Sequence, residues 1–79
     1  VFDDDDFESE ALAWCRELAS GAPIALRLMK ENLNRALHVD LATALDAEAP
    51  NMLTTMSTAD HREAASAFVE KRRPQFTGE

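Results

Sequence analysis

The chain has a single cysteine, two glycines and no tyrosine among its 79 residues. One cysteine permits no internal disulfide, and Cys15 with His38 and His61 does not give the ligand spacing of a structural zinc site. No apolar run approaches the roughly 18 residues that a membrane span needs, and no basic-then-apolar signal segment is present. The sequence therefore predicts a soluble, cytoplasmic chain with no bound metal and no membrane partner.

Basic residues are also few, since 8 Lys and Arg stand against 15 Asp and Glu, for a formal net charge of −7 at pH 7. Six of these acids lie within the first ten residues, where an acidic run is typical of a helix entrance. Nucleic-acid binding needs clustered Lys and Arg to contact phosphates. The acidic balance therefore disfavours a nucleic acid as the partner.

The length of the chain limits the core that it can build. A core of this size rarely gives more than roughly 3 to 5 kcal/mol, and small domains are usually reinforced by disulfides, metals or a partner surface. Because the first two are excluded, the sequence predicts a partner surface. The chain also begins with Val1 where a translated protein would have Met, which suggests a processed or excised piece.

Fourteen alanines and nine leucines favour an all-α fold, because both residues are strong helix formers. Gly21 can end the first helix, and Pro23 suits the first turn of the second. Pro50 lies inside the third helix, where it removes a backbone hydrogen bond, so a kink or a break into two shorter helices is expected. The apolar spacing predicts four helices, over about 6–20, 23–37, 40–56 and 58–73.

The fourth helix has two candidate caps and a basic end. Either Thr58 or Asp60 can supply the capping oxygen, the second in a capping-box pattern with Glu63. The helix is expected to end at the cations 71–73, because Pro74 disfavours continuation and cations complement the negative end of the helix dipole.

Few side chains point to chemistry. Glu48 lies near the apolar stripe of the third helix, and an ion pair with Lys30 or an arginine is favoured over catalysis, which needs a second placed group. Cys15 is expected to be a small buried apolar residue. The basic cluster 71–73, with aromatic residues on both sides, either completes the helix end or binds phosphate groups while an aromatic ring covers a base.

The order of these signals resembles the C-terminal region of the crotonase superfamily, the enoyl-CoA hydratases and isomerases. The most specific segment is A-D-H-R-E-A-A-S-A-F-V-E-K-R-R-P-Q-F over residues 59–76. The resemblance extends over nearly the whole chain and also includes Pro23, Ala25, Lys30 and the stretch from Leu41 to Glu48.

The resemblance implies a four-helix C-terminal subdomain of a crotonase-like α/β spiral fold, whose larger N-terminal part is absent. In the family, that N-terminal part holds the acid/base carboxylates and the two backbone N–H groups that polarise the thioester carbonyl. The resemblance therefore implies no catalytic residue in this chain. It implies a lid over the acyl pocket, contacts with the chain's own N-terminal catalytic domain, and a homo-oligomer that is a trimer or a dimer of trimers.

The resemblance also implies two residues that contact the substrate, a coenzyme A thioester, and no covalently bound cofactor. Lys71 occupies a position at which relatives approach the CoA phosphates bound to a neighbouring subunit. Met52 occupies the position of an aromatic residue that lies near the adenine. The implied function is enoyl-CoA hydration. The alternatives are an acyl-CoA double-bond isomerase, including the aromatic-degradation type, and a non-enzymatic helical interaction module.

Overall fold

The computed structural model describes residues 1–79 and contains four α-helices and no strand. The predicted all-α class is confirmed. The helices are α1 (Phe7–Ala19), α2 (Pro23–Ala36), α3 (Leu41–Met56) and α4 (Ala59–Glu70). Helix α2 packs against α3, and α3 contacts α4. None of the four combines the length and the apolar character that crossing a membrane requires.

Local chemistry explains where the helices begin. Helix α2 starts with Pro23 in its first turn, where the missing N–H has no partner to lose. The carboxylate of Asp40 accepts from the Thr43 N–H at 2.8 Å and caps α3, which lowers the pKa of Asp40. Of the two candidate caps of α4, Thr58 is the N-cap, and its hydroxyl accepts from the His61 N–H at 3.0 Å. Asp60 is therefore available for another contact.

Of the kink or break expected at Pro50, the break is absent, because α3 is continuous from Leu41 to Met56. Nine residues precede the proline within the helix and six follow it, so both sides keep their own backbone hydrogen bonds. Asn51, the residue after the proline, also connects α3 to α2. The side-chain amide of Asn51 donates to Asn32 of α2 at 2.6 Å.

Helix α4 ends at Glu70, three residues earlier than the predicted end at 73. Lys71 has left-handed backbone angles, with φ 57° and ψ 42°, and is the only residue other than glycine with positive φ. The Arg72 N–H donates to the carbonyl of Ala67, five residues earlier, at 3.0 Å. A hydrogen bond over this separation is typical of a helix end with a left-handed residue. The basic cluster thus follows the helix and does not form its last turn.

Very little of this chain is buried. Only Leu28, Ala67 and Asp60 are buried, and Cys15 is exposed, so the prediction that Cys15 is buried was wrong. The accessible surface is 6485 Å², whereas a compact protein of this mass exposes about 4,700 Å². The radius of gyration is 15.7 Å, against about 12 Å for a compact domain of this length.

The four helices therefore form a flat layer of 43 × 36 × 18 Å with apolar side chains on its surfaces. Every helix contributes large exposed apolar residues. They include Phe7, Trp14, Leu18, Leu33, Leu45, Met52, Leu53, Phe68 and Val69. Exposed apolar surface of this extent marks an interaction surface. These exposed apolar side chains are the surface that a partner, as the sequence predicts, would cover.

Candidate functional site

The three consecutive cations after α4 differ in what they contact. The Arg72 guanidinium donates to both carboxylate oxygens of Glu63, at 2.7 and 2.8 Å, and also to Glu70. Arg73 donates to Glu17 of α1 at 3.2 Å. Lys71 takes part in none of the four ion pairs in the structure. Lys71 is therefore the cation of this cluster that is free to bind an external anion.

The backbone of Lys71 adds a second observation. A left-handed conformation costs a residue with a Cβ roughly 1 to 2 kcal/mol, and glycine is the usual residue at such a helix end. Lys71 has this conformation, with φ 57°. Residues kept in an unfavourable conformation cluster at functional sites. A lysine thus stands at a position where backbone energetics alone would favour glycine.

The chain after Lys71 is held on α4 by two carboxylates that lie one helical turn apart. We call residues 71–79 the C-terminal arm. Glu63 accepts from the Gln75 N–H at 2.8 Å in addition to its two bonds from Arg72. Asp60, only 2% exposed, accepts from the N–H groups of Thr77 and Gly78, both at 2.8 Å. The Asp60 N–H in turn donates to the Glu79 carbonyl at 2.9 Å.

The roles of Asp60 and Glu63 in holding the arm were missed at the sequence level. The sequence pattern offers these two residues only as one of two possible caps, a capping box that pairs both with the backbone at the start of the helix. Their spacing of three residues does place both carboxylates on one face of α4. The signal that could have identified their role is the arm itself, which has backbone N–H groups and no helix or strand to satisfy them.

The electrostatics of Glu63 follow from its donors. Hydrogen bonds from the Arg72 guanidinium and the Gln75 N–H lower the pKa of Glu63 from 4.5 to about 2. Hydrogen bonds to the carboxylates of Glu63 and Glu70 raise the pKa of Arg72. A carboxyl whose pKa is lowered on folding contributes stability that is present above 4.5 and is lost as the pH falls through about 2.

The attachment of the arm to Glu63 is therefore expected to be insensitive to pH from neutral down to about 4.5 and to weaken towards pH 2. Hydrogen exchange at the Gln75 amide, corrected for its intrinsic pH dependence, measures this. Glu63→Gln is the control, since it removes the titrating group and should abolish the acid-dependent step. Release of Gln75 already near pH 4.5 would show that the ion pair does not hold the arm.

Met52 lies on a different part of the layer. It lines an open cavity of about 390 Å³ between α2 and α3, together with Leu28, Met29, Asn32, Glu48 and Asn51. Met52 is 65% exposed, and Lys71 does not line this cavity. The structure therefore does not bring the two predicted substrate-contacting residues together within one cavity.

Glu48 makes no ion pair, so the expected pairing with Lys30 or an arginine was wrong. Its side chain is exposed, and an exposed carboxylate keeps its hydration and needs no partner. No three His, Cys, Asp or Glu side chains are close enough together to bind a metal ion.

Comparison with known proteins decides the family. The family model described as enoyl-CoA hydratase/isomerase matches residues 1–79. The chain belongs to the enoyl-CoA hydratase/isomerase family, within the crotonase superfamily. The chain is 40% identical over 70 residues to mitochondrial methylglutaconyl-CoA hydratase of Mus musculus, covering 89% of this chain and 22% of the relative. It is 40% identical over 78 residues to 1,2-epoxyphenylacetyl-CoA isomerase of Escherichia coli, covering 99% of this chain and 30% of the relative.

A solved structure shows the same arrangement of helices. The crystal structure of enoyl-CoA hydratase from Bacillus anthracis superimposes on this chain with a TM-score of 0.93 at 37% identity. The match covers 100% of this chain and 31% of that one. The chain thus spans less than a third of the length of these relatives.

Proposed function

We propose that this chain is the C-terminal helical subdomain of an enoyl-CoA hydratase-like enzyme, which adds water across the 2,3 double bond of an acyl-CoA thioester. The subdomain covers the acyl pocket and forms contacts between subunits of a trimer or a dimer of trimers. The observation that carries this proposal is the flat layer with exposed apolar residues on every helix. Such a layer gains stability when the rest of the enzyme and neighbouring subunits cover it.

The chain contributes no catalytic group in this proposal. Asp60 and Glu63, the two carboxylates with the most hydrogen bonds, are engaged in holding the arm. Glu48 is exposed and takes part in no ion pair. The acid/base carboxylates and the oxyanion donors belong to the N-terminal catalytic domain.

The substrate in this proposal is a coenzyme A thioester, and Lys71 contacts its phosphate groups. Two features support this role: the ammonium has no carboxylate partner, and the lysine is kept in a left-handed conformation. Met52 contacts the adenine, since its thioether lies exposed in an open cavity and a methionine can pack against a ring edge.

Lys71→Ala in the full-length enzyme is expected to raise the KM for acyl-CoA about 3- to 10-fold with kcat unchanged, because a lost phosphate contact weakens binding uniformly. Steady-state kinetics with an acyl-CoA and with the matching acyl-pantetheine, which lacks the nucleotide phosphates, measure this. The KM for the pantetheine thioester should not change. Arg73→Ala, which removes a paired cation from the same segment, is the control and should leave both KM values nearly unchanged.

An unchanged KM for acyl-CoA in Lys71→Ala would contradict the phosphate contact. Lys71 would then be a cation that only complements the dipole at the end of α4.

Acyl-CoA double-bond isomerisation is the second candidate function. It is favoured by the 1,2-epoxyphenylacetyl-CoA isomerase of Escherichia coli, which matches 99% of this chain at 40% identity. Both reactions need the same stabilisation of a thioester oxyanion, so these helices serve either. Two facing glutamates at the active site of the full-length enzyme favour hydration, and one favours isomerisation. Assays with a 2-enoyl-CoA, a 3-enoyl-CoA and a ring-epoxide CoA thioester separate hydration, double-bond isomerisation and isomerisation of the aromatic-degradation type.

A further inference from the structure

The bend at Lys71 is supported by the residues that follow it. The hydrogen bond from the Arg72 N–H to the Ala67 carbonyl ends α4 but does not set the direction of the arm. Contacts between side chains set that direction. The Arg72 side chain lies back along α4 and reaches Glu63, nine residues earlier, through two parallel bonds at 2.7 and 2.8 Å. A bidentate contact between arginine and carboxylate fixes orientation as well as distance.

Glu63 holds the chain at two points. One carboxylate oxygen accepts from both Arg72 and the Gln75 N–H, so Glu63 restrains the residue after Lys71 and a residue three positions farther along. The Glu63 side chain is only 25% exposed, which limits competition from water. Glu70 differs, since it accepts a single bond from Arg72 and is 59% exposed.

We propose that Glu63 is a positioning residue that, through Arg72 and the Gln75 amide, holds the bend at which Lys71 presents its ammonium to an anionic ligand. The inference rests on the proposed function, in which that ligand is the phosphate groups of coenzyme A. Asp60 holds the arm farther along, at residues 77–79, and so does not by itself define the bend at Lys71.

Charge and positioning predict opposite changes in anion binding when Glu63 is replaced. Glu63→Gln removes a negative charge close to the basic cluster, and by charge alone this change should favour binding of an anion. If Glu63 positions Lys71, the same substitution should instead weaken binding. We expect the KM of the full-length enzyme for acyl-CoA to rise about 2- to 5-fold, with kcat and the KM for the acyl-pantetheine unchanged.

Two further variants separate positioning from general destabilisation. Glu70→Gln makes the same charge change on the same helix and should leave the KM for acyl-CoA unchanged or slightly lower. Arg72→Lys keeps the charge but cannot form the bidentate contact, and it should raise the KM like Glu63→Gln. It also serves as the second variant should Glu63→Gln fail to fold. The double variant Glu63→Gln with Lys71→Ala should bind no more weakly than Lys71→Ala alone.

The outcomes distinguish this inference from the proposed function. If Lys71→Ala raises the KM for acyl-CoA but Glu63→Gln and Arg72→Lys do not, the positioning role is overturned and the phosphate contact stands. Additive effects in the double variant, or an equal rise in KM for the pantetheine thioester, also overturn it. If Lys71→Ala has no effect, the phosphate contact itself fails.

Discussion

The isolated 79-residue chain is expected to be helical in circular dichroism but to associate or unfold without a cooperative transition. The reason is its surface, which at 6485 Å² exceeds that of a compact protein of the same mass by about 1,800 Å². Specific, stable interfaces between proteins bury about 800 Å² on each partner. The excess on this one chain is therefore about twice the area that one partner contributes to such an interface, and in isolation nothing covers it.

Sedimentation velocity and thermal unfolding of the isolated chain measure this expectation. The double variant Trp14→Glu with Phe68→Glu provides a control with opposite effects in two contexts, since these side chains are 60% and 86% exposed. In the isolated chain it should reduce association. In the full-length enzyme it should impair folding or assembly, because it places charges in covered apolar contacts. A wild-type fragment that is monomeric and unfolds cooperatively would favour the non-enzymatic interaction module instead.

Asp60→Ala is expected to destabilise the full-length enzyme by about 3 kcal/mol and to release the C-terminal arm. Asp60 is the one buried charged residue, and its carboxylate accepts from two backbone N–H groups of the arm. Hydrogen bonds to charged groups contribute about 1.5 to 3 kcal/mol each, and the donors left unpaired add a cost of their own. Chemical denaturation measures the free energy of unfolding, and hydrogen exchange at Thr77 and Gly78 measures the release.

Asp46→Ala is the matched control for this substitution. Asp46 is an exposed carboxylate inside α3 with no hydrogen bond in the structure, so its replacement should change the stability by less than about 0.5 kcal/mol. The stability of Asp60→Asn should lie between those of Asp60→Ala and Asp46→Ala. The amide keeps one acceptor oxygen but presents a donor to the second backbone N–H. Equal stabilities of Asp60→Ala and Asp46→Ala would show that the arm is not held through Asp60.

The helices were predictable because their determinants are local. Alanine and leucine content, the apolar spacing, Pro23 and the capping oxygen of Thr58 act within a few residues of one another. Two local predictions failed for reasons that lie outside the local pattern. Helix α3 continues through Pro50, next to the contact between Asn51 and Asn32 of α2. Helix α4 ends at Glu70, where the bonds of Arg72 and Gln75 with Glu63 favour a bend.

The candidate site was predictable only in part. The basic cluster was visible in the sequence, with a helix end and a phosphate site as its two interpretations. Which cation remains free depends on contacts of Arg72 with Glu63 and of Arg73 with Glu17, the second of which is separated by 56 positions in the chain. The sequence does not show directly which residues so far apart in the chain come into contact. The same holds for Glu48, whose predicted ion pair does not form, and for Asp60, whose contacts lie 17 and 18 positions away.

The sequence by itself determined the helical class, the approximate helix bounds and the family resemblance, since these follow from local propensity and from the order of local motifs. Only the tertiary structure decided that Lys71 is the free cation, that its backbone is left-handed, and that Asp60 and Glu63 hold the arm. These features depend on which side chains meet after the chain folds back on itself, and that is set by packing between segments distant in sequence.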